Sequence, residues 1–478
     1  MRRILPLLTL AFLAVTGTLL LSMNGCAGTS SNISQQAPGH IQHVVIIVQE
    51  NRTPDNLFQD PVLISRGADI AQSGLNSSGE TIPLTQIDLA NTGNGANSQN
   101  YDLDHSHKAF EELYDGGKMD GENLVEVLDC GTKPNCPPSN PQYKYVNPAD
   151  VQPYFSMAEQ YTFADRMFQT NQGPSFPAHQ FLLSGTSAPT ATSPLFASET
   201  PNPYMVTGCI SIPTGLVSMI GSDGKELTTQ YPCFEHPTLT DLMDAKGVSW
   251  RYYSPMQGYI WTAPNAIQHM CGPNAPPPNA TACVGPDWTG SNPKVSISQT
   301  QVLTDIANGN LAQVVWVIPT GQESDHPDTN DGTGPSWVSS VVNAIGDSKY
   351  WPNTAIFITW DDWGGWYDHV RPPKVLVNCS DWGCGYIYGF RVPMIVMSPY
   401  AKTRYISHQD HDFGSILRFV EETFDLGSLG YADSSALDDF SDSFDFNQQP
   451  TPFQTVSAPL PAEHFINDKR PPLDPDDD

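Results

Sequence analysis

Carboxylate and amide side chains follow two apolar runs of the sequence, where they could bind a cation. Glu50 and Asn51 come just after the run 43–48, HVVIIV, and Asp361 and Asp362 come after the run 354–360, TAIFITW. Open α/β folds bind ligands beyond the carboxyl ends of their strands. Two adjacent carboxylates repel each other unless a cation separates them, so these oxygens predict a metal site. For each pair alone, the alternative is an ordinary polar strand end.

A serine that could act as a nucleophile stands in the segment 172–179, QGPSFPAH. Pro177 is typical of a first helical turn, which places Ser175 at or just before the amino end of a helix. The free N–H groups and the dipole of such an end stabilise phosphate oxygens, and metal coordination can activate a serine hydroxyl. The segment therefore predicts a phosphate-binding nucleophile. Its alternative is a simple helix cap.

Several histidines could bind phosphate oxygens or protonate a leaving alcohol. His105 is the preferred candidate and lies beside His107, while His326 follows an apolar run at 314–318. His269 is a weaker pocket candidate, and a structural histidine is an equal alternative there. That alternative applies more strongly to four other histidines, which can cap a turn or pair with a nearby aspartate: His179, His369, His408 and His411.

The elements that must position these side chains read as buried strands and helices. Continuous apolar runs predict strands at 43–48, 314–318, 354–360 and 392–397, and helices are expected at 239–246, 337–346 and 413–424. Strands that are apolar throughout indicate a parallel or mixed sheet covered on both faces. Tracts rich in Asn, Gly, Ser and Pro at 67–100 and 271–293 predict insertions or a cap over the site.

Taken together, the motifs resemble the bacterial phosphoesterase family that contains phospholipases C and acid phosphatases. The resemblance runs from residue 40 to 426, in the family's order, and its combination of motifs is far more specific than any single one. The matching segments are Glu50-Asn51-Arg52 with Asp55, Gly173-Pro174-Ser175, Asp325-His326-Pro327, Asp361-Asp362-Trp363-Gly364-Gly365, Tyr367-Asp368-His369-Val370, and Arg391-Val392-Pro393 followed by Ser398-Pro399-Tyr400.

The resemblance implies an alkaline-phosphatase-like α/β/α sandwich with a mostly parallel central sheet. It also implies a metal shell and a substrate-binding set. The shell is Glu50, Asn51, Ser175, Asp361 and Asp362; Ser175, His105 and His326 are expected to be catalytic, and Arg52, His107 and His269 to bind substrate. Three positions depart from the family pattern: Pro54 replaces a bulky residue, Ala178 replaces a common Asn, and Asp362 stands where phospholipases often have Glu.

The expected chemistry is hydrolysis of phosphate esters with one divalent metal ion. An all-oxygen shell suits Ca, Mg or Mn, and Zn remains open because aspartate also binds it. In this hypothesis Ser175 attacks phosphorus in line, a histidine protonates the leaving alcohol, and water hydrolyses the phosphoserine. A phospholipase C acting on diesters is the main reading, and an acid phosphatase or a catalytically silent surface binding protein is the alternative. The sulfatase signature is missing at 175–179.

The composition bounds the partners. The 478-residue chain is 39% hydrophobic and carries a formal net charge of −29, which argues against nucleic acid as a partner and requires a local cation for any anionic substrate. A phosphate ester or phospholipid is the expected substrate. Of nine cysteines, four local pairs suit disulfides in an oxidising compartment: Cys130 with Cys136, Cys209 with Cys233, Cys271 with Cys283, and Cys379 with Cys384.

The amino end reads as a targeting signal. Two arginines precede an almost uncharged stretch at 4–23, and the segment 21–26, LSMNGC, loosely resembles a lipobox. Residues 1–26 are therefore predicted to be a signal peptide, with lipid attachment at Cys26 or simple secretion, and 27–39 a flexible tether. Residues 40–478 form the expected catalytic domain with insertions. The expected location is the periplasm, the cell exterior or a membrane-anchored lipoprotein.

Overall fold

The long apolar runs of the sequence lie side by side in the computed structural model of the chain. The structure describes residues 40–90, 100–131, 133, 136–203, 206–221, 223–327, 329–374 and 388–473. These belong to one unit, Ile33–Asp478, and the other unit, Met1–Asn32, lies wholly outside the described residues. The predictions of a signal peptide, a lipid at Cys26 and a tether also fall outside them.

One large sheet organises the described residues. Its strands, in spatial order, are β13 (Val295–Ser296), β12 (Trp250–Tyr253), β14 (Val314–Val317), β1 (His43–Gln49), β15 (Thr354–Trp360), β16 (Arg391–Met397), β8 (Thr162–Phe168) and β17 (Tyr405–Ser407), and β18 (His411–Asp412) also pairs with β8. Within this sheet only β16 is antiparallel to its neighbours. The sheet is therefore mostly parallel, as predicted.

Smaller strands lie outside this sheet. In the described ranges they are β2 (Ser73–Leu75), β3 (Thr81–Pro83), β4 (Thr85–Ile87), β5 (Asp102–Leu103), β6 (Val127–Leu128), β7 (Lys144–Val146), β9 (Leu195–Ala197), β10 (Val217–Gly221) and β11 (Glu226–Gln230). Strands β9, β10 and β11 form a separate three-stranded sheet, while the other six pair in twos. The predicted insertion at 67–100 thus contains short paired strands.

Helices cover the large sheet. The α-helices of the described ranges are α1 (Pro54–Leu57), α2 (Pro61–Ser65), α3 (His107–Tyr114), α4 (Gln152–Gln160), α5 (Ser175–Ser184), α6 (Leu239–Lys246), α7 (Gln268–Cys271), α8 (Gln301–Ala307), α9 (Gly334–Gly346), α10 (Phe413–Phe424) and α11 (Ala462–Asn467). Helix α9 packs against α4, α8 and α11, and α5 packs against α6 and α10. Every residue of β15 and β16 is buried, so both faces of the sheet are covered, as an α/β/α sandwich requires.

Among the strands of the large sheet that escaped prediction, β8 and β12 carry charged residues within apolar or aromatic surroundings. Strand β8 contains Asp165 and Arg166, and β12 contains Arg251. The side chain of Asp165 accepts a hydrogen bond from the backbone N–H of Asp69 at 2.7 Å, and Arg251 pairs with Asp305 at 2.7 Å. Because these charges have partners, the strands can lie inside the sheet although their sequences are not continuously apolar.

Three of the predicted disulfides are present in the structure. They join Cys130 to Cys136, Cys209 to Cys233, and Cys271 to Cys283. The predicted fourth pair, Cys379 with Cys384, lies outside the described residues. Each observed pair lies within a connection between strands of the large sheet, so these bonds tie down loops and leave the sheet to be held by packing. In the part of the chain that the structure describes, each helix is too short or too polar to cross a bilayer.

Candidate functional site

The sheet brings the predicted carboxylates together. Strand β1 runs parallel to β14 on one side and to β15 on the other, so their carboxyl ends meet at one edge. Glu50 and Asn51 follow β1, and Asp361 and Asp362 follow β15. The backbone N–H of Asp361 donates to Gln49 O at 3.1 Å, and that of Arg52 donates to Asp362 O at 3.0 Å. The ladder thus continues into the polar residues and holds them in register.

These four residues form a fully buried group, here called the oxygen cluster: Glu50, Asn51, Asp361 and Asp362. Each has one polar atom fixed by the protein. Asn51 N donates to Asp361 Oδ1 at 3.3 Å, and Gly364 N donates to Asp362 Oδ1 at 2.7 Å. Three other oxygens have no hydrogen-bond donor among the described residues: Glu50 Oε2, Asn51 Oδ1 and Asp361 Oδ2. Buried oxygens without a donor are costly, which fits a cation as their missing partner.

The backbone around the oxygen cluster is left-handed at two positions, and at one of them the close approach of another loop requires glycine. Asn51 has a φ of 61°, and Gly364 has a φ of 61°. A Cβ at Gly364 would stand 2.5 Å from the carbonyl oxygen of Asn51, so the two loops approach more closely than any larger residue permits. Gly364 therefore lets the β15 loop lie against the β1 loop, and Gly365 lets it lie against Leu103 and Asp104.

Charge repulsion is built into the oxygen cluster. Burial raises the pKa of Glu50 well above its usual value, and the neighbouring Asp361 raises it further. Burial and the charge of Asp361 likewise raise the pKa of Asp362. Both shifts have the same cause, namely several carboxylates in one dry site without a protein cation among the four. The donor set of carboxylate and amide oxygens suits a hard divalent ion.

Ser175 faces this cluster from the start of α5. Its Oγ donates a hydrogen bond to Asp362 Oδ2 at 3.1 Å, and the side chain is 2% exposed. Strand β8 leads to it through residues 169–174, and a Cβ at Gly173 would stand 1.9 Å from the carbonyl oxygen of Ser198. Ser175 is the first helical residue, as predicted, so the free N–H groups of the first turn lie next to its hydroxyl.

His105 contacts the oxygen cluster directly. Its Nδ1 lies 2.8 Å from Leu103 O, and its Nε2 lies 2.9 Å from Asn51 Nδ2. A carbonyl oxygen only accepts, so Nδ1 carries the proton and Nε2 accepts from the amide of Asn51. This arrangement directs the other atom of the amide, Oδ1, away from the imidazole. In this state His105 orients Asn51.

His326 packs beside His105 with a ring separation of 6.0 Å, and it also lies 6.0 Å from the ring of Trp261. The turn before it is anchored through Asp325, whose Oδ2 accepts from Tyr154 at 2.9 Å and from Trp360 at 3.0 Å. Burial raises the pKa of Asp325 to about 6. This anchoring fixes where His326 lies relative to the ends of β1 and β15.

Arg52 contacts the same turn, through the backbone of Asp325. Its guanidinium is fully buried, donates from Nε to Asp325 O at 2.9 Å, and lies 5.4 Å from the ring centre of Trp366. Burial lowers the pKa of Arg52 to about 10. Arg52 is predicted to bind substrate, and its observed contacts join it to the backbone of the turn before His326.

The remaining predicted histidines occupy two different places. His107 Nε2 lies 3.2 Å from Oε1 of Gln172, which comes three residues before Ser175, and the backbone N–H of His107 donates to Glu199 Oε1 at 2.9 Å. His269 pairs with Glu235 at 2.8 Å and Asp241 at 3.3 Å. The hydrogen bond to Asp241 is the largest of the causes that raise the pKa of His269 to about 9. The structure thus joins His107 to the loop that precedes Ser175 and His269 to a separate acidic pair.

Two polar residues near the site were not expected from the sequence. His179 lies 3.2 Å from Glu50 Oε1, and burial lowers its pKa to about 4. The spacing of four residues from Ser175 on one helix was the signal that could have revealed it. Glu199 lies beside His107, and burial together with Glu226 raises its pKa well above the usual value. No spacing in the sequence pointed to Glu199, which lies in the connection between β9 and β10 of the separate three-stranded sheet.

The tryptophans of the 361–370 loop are packed in the interior. Trp363 and Trp366 are both fully buried, and the ring of Trp363 lies 6.2 Å from that of His105 and 5.3 Å from that of Phe390. They belong to a second apolar core built by residues of 82–145 and of the 363–390 region. Core packing therefore accounts for both rings.

A second group of carboxylates lies farther along the same loop and is called the arginine cluster: Asp55, Asp368, His369 and Arg391. Arg391 Nε lies 2.9 Å from Asp368 Oδ1, and its Nη2 lies 3.2 Å from Asp55 Oδ1. His369 Nδ1 lies 2.7 Å from Asp55 Oδ2. These contacts explain why the separate motifs around residues 55, 368 and 391 occur together, since they meet in one ion network.

Comparisons with known proteins agree with the motifs. The sequence model described as the phosphoesterase family matches residues 41–427. The hemolytic phospholipase C of Pseudomonas aeruginosa is 24% identical over 421 residues, which is 80% of this chain and 53% of that protein. Phospholipase C B of Mycobacterium tuberculosis is 25% identical over 456 residues, covering 87% of this chain and 80% of that one. The chain thus spans about half the length of the first of these relatives.

Solved structures were compared as well. A protein in the alkaline phosphatase superfamily from Vibrio parahaemolyticus aligns over 81% of this chain and 67% of its own, with 8% identity and a TM-score of 0.33.

Proposed function

Because this chain belongs to the phosphoesterase family, we propose that it hydrolyses phosphate diesters in the manner of a phospholipase C, with Ser175 as the nucleophile. The observation that carries the proposal is the hydrogen bond from Ser175 Oγ to Asp362 Oδ2 at 3.1 Å, beside buried oxygens that have no donor. A hydroxyl in that setting is placed to attack a phosphorus atom whose oxygens meet a cation. The relatives that are named phospholipase C support the choice of a diester.

A divalent cation fits the oxygen cluster, and Ca, Mg, Mn and Zn all accept such oxygens. The residues that would hold it are Glu50, Asn51, Asp361 and Asp362, with Ser175 next to them. Such a cation supplies charge that offsets the phosphoryl oxygens and favours ionisation of a neighbouring hydroxyl. This role also resolves the electrostatic problem of a chain with a net charge of −29 that acts on an anionic substrate.

The side chains of the site have distinct proposed roles in the two displacements. Ser175 Oγ forms a bond to phosphorus and gives its proton to Asp362 Oδ2, while the bond from phosphorus to the leaving alcohol breaks. His326 protonates that alcohol. A water molecule then gives a proton to the neutral His326 as it attacks phosphorus, the bond from phosphorus to Ser175 Oγ breaks, and Ser175 takes its proton back from Asp362, which completes hydrolysis. His105 holds the amide of Asn51, and His107 lies against the nucleophile loop, where it can contact the substrate.

The test is hydrolysis of a phosphorylcholine diester and of a chromogenic phosphate monoester by the full chain. Ser175→Ala is expected to lower turnover by about 10⁴-fold or more, as removal of a nucleophile does in other hydrolases. Ser184→Ala, in the same buried helix, should retain turnover. A phosphorylated peptide containing residue 175, trapped by rapid acid quench, would identify the intermediate. Turnover that survives in Ser175→Ala would rule out the nucleophile, and a faster monoester would identify a phosphatase.

Export is also proposed, with residues 1–26 as the signal and a lipid at Cys26. The three disulfides of the described residues suit an oxidising compartment. Membrane fractionation of cells expressing wild type and Cys26→Ser tests the lipid. We expect wild type in the membrane fraction and the variant released from it. Equal partition of the two proteins would contradict lipidation.

A further inference from the structure

His179 and Ser175 lie on the same face of α5, since residues four apart on a helix stand one above the other. The imidazole of His179 is 1% exposed and is directed at two members of the oxygen cluster. Its Nε2 lies 3.2 Å from Glu50 Oε1 and 3.6 Å from Asp361 Oδ2. The helix that carries the nucleophile thus also contacts the carboxylates that would hold the cation.

The contacts of His179 determine which ring nitrogen carries the proton. A Glu50 that binds a cation is ionised, and the oxygens of an ionised carboxylate only accept hydrogen bonds, so Nε2 is the donor to Glu50 in that state. Nδ1 is buried and has no hydrogen-bond partner among the described residues, which suits an unprotonated nitrogen better than an N–H group. The ring of Trp261 stacks on the imidazole at 6.3 Å with an angle of 22°, which limits its rotation.

We propose that His179 is a positioning residue for the cation site, acting through Glu50. Its N–H holds Glu50 Oε1, and Oε2 is then the oxygen of Glu50 that faces no donor and is available to a cation. His105 orients Asn51 in a complementary way. It accepts a hydrogen bond from Asn51 Nδ2 at 2.9 Å, and Asn51 Oδ1 then has no donor among the described residues. The inference rests on the proposed cation site and adds the residue that sets the orientation of one of its ligands.

A direct nitrogen ligand is the competing role for His179. A histidine that binds a metal almost always donates its second ring N–H to a carbonyl or carboxylate. In the described part of the chain, Nδ1 of His179 lacks such an acceptor. A carboxylate that receives an imidazole N–H on one oxygen and offers the other is the ordinary arrangement of an outer-shell partner. The observed contacts therefore favour orientation of Glu50 over ligation by His179.

The experiment measures binding of Mn²⁺ to the metal-free full chain, with free Mn²⁺ followed by electron paramagnetic resonance. His179→Leu removes the donor and should weaken affinity by about tenfold to a hundredfold. His179→Gln retains an N–H donor and should recover most of that loss. Turnover measured across Mn²⁺ concentrations should show the same shift, with much of the rate restored at saturation. A residue that merely fills space would alter thermal stability in chelator and leave the Mn²⁺ affinity unchanged.

His236→Leu is the matched control. His236 is another buried histidine, 2% exposed, whose Nδ1 lies 3.0 Å from Pro237 O, so its loss should leave Mn²⁺ affinity unaltered. Equal affinity in wild type and His179→Leu would overturn the inference alone. A nitrogen bonded directly to Mn²⁺ in pulsed spectra, lost in His179→Gln, would replace positioning by ligation. If wild type bound neither Mn²⁺ nor Zn²⁺, the proposed cation site and the inference would both be overturned.

Discussion

Two buried carboxylate groups stand at opposite ends of the loop that follows β15, and they solve the problem of buried charge in different ways. In the arginine cluster, every carboxylate oxygen of Asp55 and Asp368 has a donor, and Arg391 supplies a full positive charge. In the oxygen cluster, Glu50 Oε2 and Asp361 Oδ2 lack a hydrogen-bond donor from any residue that the structure describes. If stability were the only requirement, every buried carboxylate oxygen of both clusters would be expected to have a hydrogen-bond donor.

The pKa shifts of the two groups follow from this difference. Burial raises the pKa of Asp368 only to about 6, because Arg391 opposes the effect. Burial raises the pKa of Glu50 well above the usual value, and neighbouring carboxylates add to the shift. The arginine cluster therefore stabilises the fold, with its negative charge compensated by Arg391. The negative charge of the oxygen cluster must be compensated by a cation from outside the chain. Four predictions test this contrast, given from the largest expected effect to the smallest.

The largest effect is expected from Arg391→Met. This change leaves Asp55 and Asp368 as buried carboxylates without their main cation, and breaking such a pair costs about 3–5 kcal/mol. The free energy of unfolding in urea measures the loss. Arg418→Met is the control, because Arg418 is a half-exposed partner of Glu422 and should cost less than about 1 kcal/mol. Equal losses of the free energy of unfolding in the two variants would contradict a stabilising role for the arginine cluster.

A divalent cation is expected to stabilise wild type and to have little effect on Asp361→Asn. A ligand at 100 times its Kd adds about 2.7 kcal/mol to the free energy of unfolding. Asp361 offers one of the oxygens without a donor, so its loss should remove most of this gain. Thermal unfolding with Mn²⁺ and with chelator measures it. A gain in Asp361→Asn as large as that in wild type would place the cation elsewhere.

In chelator, the same substitution should make the protein more stable. Neutralising Asp361 relieves its repulsion with Glu50, and removing such a functional charge typically adds about 0.5–2 kcal/mol. Asp368→Asn in the arginine cluster is the matched comparison and should destabilise, because Arg391 loses its ionised partner. Urea unfolding of both metal-free variants gives the two signs. Two changes of the same sign would show that the clusters are equivalent.

The smallest effect concerns pH and His369. Burial is the largest single influence on the pKa of His369 and lowers it, but the hydrogen bond to Asp55 and the negative charges of Asp55 and Asp368 together outweigh burial and raise the pKa to about 9. A raised folded pKa contributes stability that is complete below the unfolded value near 6.5 and is lost as pH rises through about 9.

Wild type should therefore exceed His369→Gln in stability by about 1 kcal/mol near pH 6 and lose that advantage near pH 10, since partly exposed pairs are weakened by solvent. Urea unfolding at several pH values checks this expectation. An advantage independent of pH would mean that His369 acts through packing alone.

The parts of the fold that the sequence predicted are those with a simple periodicity. The apolar runs at 43–48, 354–360 and 392–397 became β1, β15 and β16, and the helix expected at 239–246 is α6 (Leu239–Lys246). Strand β8 was missed because Asp165 and Arg166 interrupt its apolar pattern. Their partners come from distant segments, such as Asp69 and Asp410, so no local window could show that these charges are satisfied.

The candidate site was predictable where it depends on strand ends and less so where it depends on packing. Glu50, Asn51, Asp361 and Asp362 follow strands that were recognisable, so their meeting at one edge could be foreseen. The contact of His179 with Glu50 spans 129 residues and needs the rotation of α5 to be known. Histidine is a residue type suited to a phosphate site, but the ring of His269 pairs with Glu235 and Asp241.

The disulfides of the described residues have a consequence for how this protein can change over evolution. Each one closes a loop within its own stretch of sequence, with separations of 6, 24 and 12 residues. These three bonds tie no two insertions to each other. A change of sequence within one cross-linked loop therefore breaks no disulfide to another of the three, so in this respect the three loops can vary independently.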